Sequence, residues 1–235
     1  MNAPLDSNEE AGRRGDLRHS NVPVSPSAKR ERSVRGGQGH PEVNPAHLQR
    51  MAELREALRA ELAGLLPASG AIVLEVGCGH GHFLTAYAQA HPDRHCIGID
   101  INLDRVLRGE RKRKRAQLPN LHFVRAEAQL FLDVLPRDIR LAEIFVLFPD
   151  PWPKKRHHKN RIMRKPFLDV VAERSAPGVA LRFRTDYAPY FEAVVGTLRT
   201  DAHWECRVGE PWPFDMATIF QQKAERFDSL TAVRR

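Results

Sequence analysis

Short apolar runs alternate with helical stretches through most of this 235-residue chain, and that alternation constrains the fold more than any other feature. Residues 71–76, 96–99, 121–124, 141–148 and 179–184 read as strands, being short, apolar and bounded by turn residues. Residues 82–90, 103–117, 166–174 and 187–198 read as helices between and after them. Such regular alternation with short links predicts an α/β fold, a doubly wound and mostly parallel sheet. Leu48, Met51, Leu54, Leu58, Leu62 and Leu65 recur at helical spacing before Pro67, so an amphipathic helix precedes the series. The stretch Trp204-Glu205-Cys206-Arg207-Val208 and the region after Phe220 are expected to close the sheet as antiparallel C-terminal strands.

Residues 1–40 differ in kind. They are polar, rich in Ser, Arg, Gly and Pro, and lack hydrophobic periodicity, as a disordered basic arm does. Most of this arm reads as inert, with Arg30, Arg32 and Arg35 as candidate RNA contacts. Residues 41–235 are then one domain, for which 42% hydrophobic content supplies a sizeable core. Lys+Arg 37 against Asp+Glu 29 gives a net charge of +8, which favours a polyanionic partner. Cys78, Cys96 and Cys206 are far apart, without a CxxC pair, and read as reduced thiols. The first ten residues hold no apolar core and carry Asp6, Glu9 and Glu10, and no span suits a bilayer. The expectation is a cytoplasmic protein with no membrane partner, and either a monomer or a homodimer.

Directly after the first strand, Leu74-Glu75-Val76-Gly77-Cys78-Gly79-His80-Gly81 places three glycines before a helix. Glycine lets the backbone turn sharply and approach a ligand closely. The position of a third dinucleotide-loop glycine is His82, and the Lys-Ser/Thr of a P-loop is missing. Asp100 closes the second strand, where an acid can accept hydrogen bonds from ribose hydroxyls. The loop is similar to the G-x-G-x-G loop of S-adenosylmethionine-dependent methyltransferases. That likeness implies that Glu127, after the third strand, lies near the adenine, and that Glu75 meets the methionine end or holds the loop.

The fourth strand runs into Phe148-Pro149-Asp150-Pro151-Trp152-Pro153-Lys154-Lys155-Arg156-His157-His158-Lys159-Asn160-Arg161. Prolines stiffen this turn around a single carboxylate, which stands beyond the carboxyl end of a strand, where open α/β sheets bind ligands. Seven cations follow between Lys154 and Lys165 with no acid among them, a pattern suited to phosphate contact. A second run, from Arg105 to Arg115, lies on one helix, and a solvated face explains it equally well. Trp152 suits a stacking platform or a packing anchor. No carboxylate or thiol at ligand spacing accompanies His157 and His158, so no metal is assigned.

With this block added, the chain resembles the bacterial tRNA (guanine-N7)-methyltransferase family. Residues 148–161 are similar to its F-x-D-P-W-x-K-x-R-H-x-K-R-R signature, and Thr185-Asp186 with Tyr190 matches its T-D-x-x-x-Y element. Thr218-Ile219-Phe220-Gln221 stands for its T-x-[FY]-E element. The resemblance implies a Rossmann-like class I fold that methylates N7 of the variable-loop guanine of tRNA. It places Glu75, Gly77, Gly79, Gly81, Asp100, Glu127 and Asp150 around S-adenosylmethionine. It assigns Lys154, Asp186, Thr218 and Gln221 to the guanosine, and Arg156, His157, His158, Lys159, Asn160 and Arg161 to RNA. Asn160 stands where the family has an arginine, and Gln221 where it has a glutamate. An amide accepts hydrogen bonds from guanine more weakly and adds a donor, so weaker guanine binding is expected.

Guanine N7 presents a lone pair and needs no deprotonation before attack. The protein must align the reactants and stabilise positive charge arriving on the purine, an electrostatic role that suits Asp150. Asp186 is suited to reading guanine N1–H and N2–H. The rival readings are a methyltransferase acting on a small molecule or another RNA, and a non-catalytic RNA-binding relative.

Overall fold

The computed structural model describes residues 44–214, 216 and 226–235. Its sheet has seven strands: β1 Gly70–Val76, β2 His95–Asp100, β3 Leu121–Arg125, β4 Ile139–Leu147, β5 Ser175–Thr185, β6 Trp204–Val208 and β7 Asp228–Arg234. Their order is β3-β2-β1-β4-β5-β7-β6, with β1 to β5 all parallel. The expected closing antiparallel pairing at the C-terminus is made by β7, which pairs antiparallel with β5, and by β6, which pairs antiparallel with β7 and forms the edge.

The helices α1 Pro45–Ala63, α2 His82–Ala90, α3 Leu103–Ala116, α4 Ala128–Val134, α5 Lys165–Arg174 and α6 Ala188–Arg199 complete the chain, with a 3-10 turn at Lys155–Asn160. Burial on both faces explains why β1 reads as a continuous apolar run. Leu74 and Val76 join a core with Phe131, Leu168 and Val194, on the side of α4, α5 and α6. Val73 faces the opposite way, into a second core with Phe83, Tyr87 and Val106 of α2 and α3. The helix ends follow local chemistry. The Asn44 side chain accepts from Ala46 N with Pro45 in the first turn of α1, and the Asn102 side chain accepts from Asp104 N and Arg105 N of α3.

Polar residues also enter this interior. Glu143 of β4 is buried, with its carboxylate taken by Arg182 Nε at 2.6 Å, Arg94 Nη1 at 2.9 Å and Tyr87 Oη at 2.7 Å. Arg182 Nη1 in turn donates to Thr231 Oγ1 at 3.1 Å, tying β4, β5 and β7 together. A buried charge satisfied on all sides in this way holds neighbouring strands in register, whereas removing one partner would strand the others.

Candidate active site

Strand order reverses between β1 and β4, and the loops bearing the candidate residues leave the carboxyl ends of β1 to β5 at that edge. After β1 the glycine loop folds back against β2: Gly77 N and Cys78 N both donate to Ile99 O, at 2.8 and 3.0 Å. Gly77 and Gly79 have φ of +74° and +54°, and a Cβ on either would meet nothing within 4 Å among the described residues. They leave open space where a ligand could lie against the backbone. Gly81 differs. Its φ is +70°, and a Cβ there would fall 2.4 Å from Phe123 Cζ and 3.1 Å from Gly109 Cα. Gly98 and Gly109 crowd the same ring, at 2.7 and 2.8 Å from their ideal Cβ positions. Three glycines from β2, the loop and α3 thus close around Phe123.

Asp100 ends β2 as a buried residue, 4% exposed. Oδ2 accepts from Gly79 N at 3.0 Å and Oδ1 from Asn102 N at 2.8 Å, and Arg105 Nη1 is 3.6 Å from Oδ2. The acid therefore braces the loop, and each oxygen keeps a lone pair for a ligand. Glu75 is 3% exposed and accepts from Leu84 N in the first turn of α2, while its Oε2 has no hydrogen-bond partner among the described residues. Burial, followed by repulsion from Asp100, pushes its carboxyl up to about 8. Glu127 is exposed and caps α4, its Oε2 accepting from Leu130 N at 2.9 Å.

Beyond β4 the chain makes a strained turn. Phe148 and Trp152 adopt φ of +48° and +45°, a region costly for side chains of this bulk, and Phe148 has the further restriction of preceding Pro149. Phe148 N donates to Arg184 O at 2.8 Å, and the Arg184 guanidinium stacks 4.1 Å from the Trp212 ring centre. Asp150 stands exposed at the crest of this turn. One strand over, Thr185 ends β5 buried, its Oγ1 accepting from Tyr187 N at 3.2 Å, and leaves Asp186 exposed. Strained backbone held by its surroundings is common where a group must be aimed at a ligand.

The basic block divides. Lys154, Arg156, Lys159 and Asn160 are exposed, and His157 and His158 are half-buried. Arg156 Nε donates to His157 Nε2 at 3.2 Å, and the half-buried Trp152 and His157 rings meet edge-on at 5.7 Å. Arg161, expected to touch RNA, is instead 7% exposed. Its Nε donates to Pro151 O at 2.8 Å and its guanidinium lies 4.7 Å from the Tyr190 ring centre. Tyr190 Oη accepts from Met163 N at 2.9 Å. These contacts turn Arg161 inward as a brace for the Asp150 turn. The expectations for Thr218 and Gln221, and for Arg30, Arg32 and Arg35, fall outside the described residues.

Two structural roles escaped the sequence reading: the glycine cage around Phe123 and the inward turn of Arg161. The Gly98 and Gly109 positions were the only local signal for the first, and Tyr190 at a fixed distance from Asp186 for the second. Among the described residues no group of three His, Cys, Asp or Glu side chains is placed to hold a metal ion, and no helix is long and apolar enough to cross a membrane.

A parallel sheet of this order, with a glycine loop after its first strand and an acid after its second, defines a class I methyltransferase fold. Two solved structures share it at a TM-score of 0.50 each. The antibiotic-resistance methyltransferase Kmr is 24% identical, matching 75% of this chain and 93% of its own. The precorrin-6y C5,15-methyltransferase of Geobacter metallireducens is 14% identical, matching 78% and 88%. Residues 69–228 match a family model described as "Putative methyltransferase". Curated tRNA (guanine-N(7)-)-methyltransferases are more similar in sequence. That of Halorhodospira halophila is 39% identical over 150 residues, 63% of this chain and 64% of the relative. That of Magnetococcus marinus is 34% identical over 199 residues, 80% and 78% respectively. The match thus spans just under two thirds of the Halorhodospira protein's own length. The chain belongs to the bacterial tRNA (guanine-N7)-methyltransferase family.

Proposed function

We propose that this protein transfers a methyl group from S-adenosylmethionine to N7 of the variable-loop guanine, position 46, of tRNA in the cytoplasm. The observation that carries the reading is the pair of exposed carboxylates, Asp150 and Asp186, at the ends of adjacent strands beside an open glycine loop. The names of the curated relatives support the substrate.

The cleft fits the cofactor on three counts. Among the described residues, Gly77 and Gly79 leave open space beside the backbone, Asp100 keeps acceptor capacity for ribose hydroxyls, and Glu75 holds an unpartnered oxygen. S-adenosylmethionine supplies an electrophilic methyl group when bound. Glu75, Gly77, Gly79, Asp100 and Asp150 would hold it, with Glu127 at the adenine side through its exposed carboxylate edge. Gly81 serves by letting the loop pack against Phe123.

Asp186 would accept hydrogen bonds from guanine N1–H and N2–H, a pair adenine does not offer. Asp150 would stabilise the positive charge that N7 attack places on the purine, with no proton transfer needed for attack. Lys154, Arg156 and Lys159 would meet phosphates, with Arg161 fixing the turn that carries Asp150. Purified protein, unmodified tRNA and radiolabelled S-adenosylmethionine test the proposal, with the methyl group mapped by N7-specific chain cleavage. Label at the variable-loop guanine is the expected result. Cleavage elsewhere, or tRNA binding without label, would overturn it.

A further inference from the structure

A second cationic surface lies on α3, outside the signature block. At 100° per residue, Arg105, Arg108, Arg111, Lys112 and Arg115 fall within a sector of about 120°. Asp104 is the single acid in that sector, paired with Arg108 at 2.8 Å. Glu110 points to the opposite side, where it binds Arg113 Nε and Phe123 N. Arg111 and Arg115 are exposed and have no carboxylate partner among the described residues.

Helix electrostatics accounts for only part of this arrangement. Arg113, Lys114 and Arg115 lie in the last turn, where the macrodipole favours cations. Arg105, the third residue of the helix, lies in the first turn, where it disfavours them, and is set 3.6 Å from Asp100 Oδ2. The charges also crowd one another. After partial burial, Arg115, Arg108 and Arg111 are the causes that lower the Lys112 ammonium below its ordinary value. A solvated face gains nothing from such repulsion, whereas a polyanion would relieve it.

The stripe also borders the candidate site. Lys112 Nζ donates to His80 O of the glycine loop at 2.7 Å. Arg108, Lys112 and Arg105 all act on the His80 imidazole, which partial burial and these charges hold below its usual range. α3 packs over β2 and β3, whereas Asp150 and Asp186 stand at β4 and β5. With strands about 4.8 Å apart and a further layer about 10 Å away, the stripe lies roughly 15–20 Å from the acids. That distance is too great for one nucleotide and suits a different part of the same folded RNA.

We infer that the α3 stripe is a second docking surface for the sugar-phosphate backbone of a helical arm of tRNA, away from the guanine being methylated. This rests on the function proposed above. The stripe fixes the RNA as a whole, and the block at residues 154–164 seats the target loop.

The test compares the wild type with the triple variant Arg108→Gln, Arg111→Gln, Arg115→Gln, measuring binding of unmodified tRNA at 50 and 200 mM salt. Each phosphate contact changes affinity by about 4 raised to the power 0.9, roughly 3.5-fold, across that fourfold salt range. Loss of three contacts should therefore cut the salt dependence by about 40-fold, with turnover at saturating tRNA retained. Asp104→Asn removes the only acid in the stripe and should tighten binding, which gives a reading even if the triple variant fails to fold. Unchanged affinity and salt dependence in a folded triple variant, or unchanged affinity in Asp104→Asn, would overturn the inference. The proposed reaction fails separately, if wild-type protein binds tRNA but leaves guanine N7 unmethylated, whatever the stripe variants do.

Discussion

Gly79 and Gly81 are two residues apart in one loop, both at positive φ, yet the structure assigns them different constraints. An alanine at Gly79 would meet nothing within 4 Å among the described residues, so the cost it carries there is the left-handed backbone, about 1–2 kcal/mol. An alanine at Gly81 carries the same backbone cost and also drives its Cβ to 2.4 Å from Phe123 Cζ, with Gly109 Cα behind at 3.1 Å. Overpacking of this kind adds about 1–3 kcal/mol. The expected destabilisation is thus about 2–5 kcal/mol for Gly81→Ala, lowering Tm by about 4–20 °C, against about 2–8 °C for Gly79→Ala. Cofactor affinity should follow the reverse order, since the Gly79 methyl enters the open cleft and the Gly81 methyl enters the core. Thermal melts and equilibrium dialysis with labelled S-adenosylmethionine measure the two quantities. A double-mutant cycle with Phe123→Leu should return a favourable coupling of about 1–3 kcal/mol with Gly81→Ala and none with Gly79→Ala. Equal melting losses for the two glycines, with no coupling to Phe123, would refute the cage.

Glu75→Gln should flatten the pH dependence of stability. Between its ordinary value of 4.5 and about 8 the folded wild type keeps a proton that the unfolded chain has released. The contribution is complete below pH 4.5 and is lost as pH rises through about 8; superimposable denaturation profiles for the two proteins would contradict this. Arg161→Ala should cost about 2–4 kcal/mol, from a buried charged hydrogen bond and a ring contact, while leaving the salt slope of tRNA binding unchanged. Lys159→Ala should do the opposite, lowering that slope by about 1 with Tm unaltered; a lowered slope in Arg161→Ala would restore it as a phosphate contact. Asp150→Asn, at an exposed position, should keep the wild-type melting temperature and lose at least about 100-fold in turnover, measured with saturating tRNA.

The β-α alternation was legible because each parallel strand is buried on both faces, leaving an apolar run that stands out from its neighbours. Every strand and long helix read from that pattern recurs within a few residues. α4 escaped notice because seven residues, Ala-Gln-Leu-Phe-Leu-Asp-Val, are too few for helical periodicity to show. The position of β7 between β5 and β6 depends on contacts between distant strands, among them Arg182 of β5 reaching Thr231 of β7. The role of Glu143 was not legible in the sequence, since its partners Tyr87, Arg94 and Arg182 are far away along the chain. In the candidate site, residue type told which groups could bind a ligand. It could not tell Arg161 from Lys159, because only the fold places two tyrosines beneath one of them.

That distinction explains how the signature residues divide their work. Thr185 holds the turn after β5 through Tyr187 N, and Tyr190, one turn further on, receives Met163 N and underlies Arg161. Arg161 then reaches back to Pro151 O, beside the acid after β4. Thr185, Tyr190 and Arg161 thus link the ends of β4 and β5 through side chains that need never touch a substrate. The carboxylates they leave exposed are Asp150 and Asp186, one on each side of the link. Among the described residues neither acid has a side-chain partner to fix it, so there their relative placement depends on the backbone turns, and the turns depend on this circuit. For a reaction governed by alignment rather than proton transfer, small errors in that spacing are costly. The uncharged and buried members of the motif are therefore as necessary to the geometry as the acids they position.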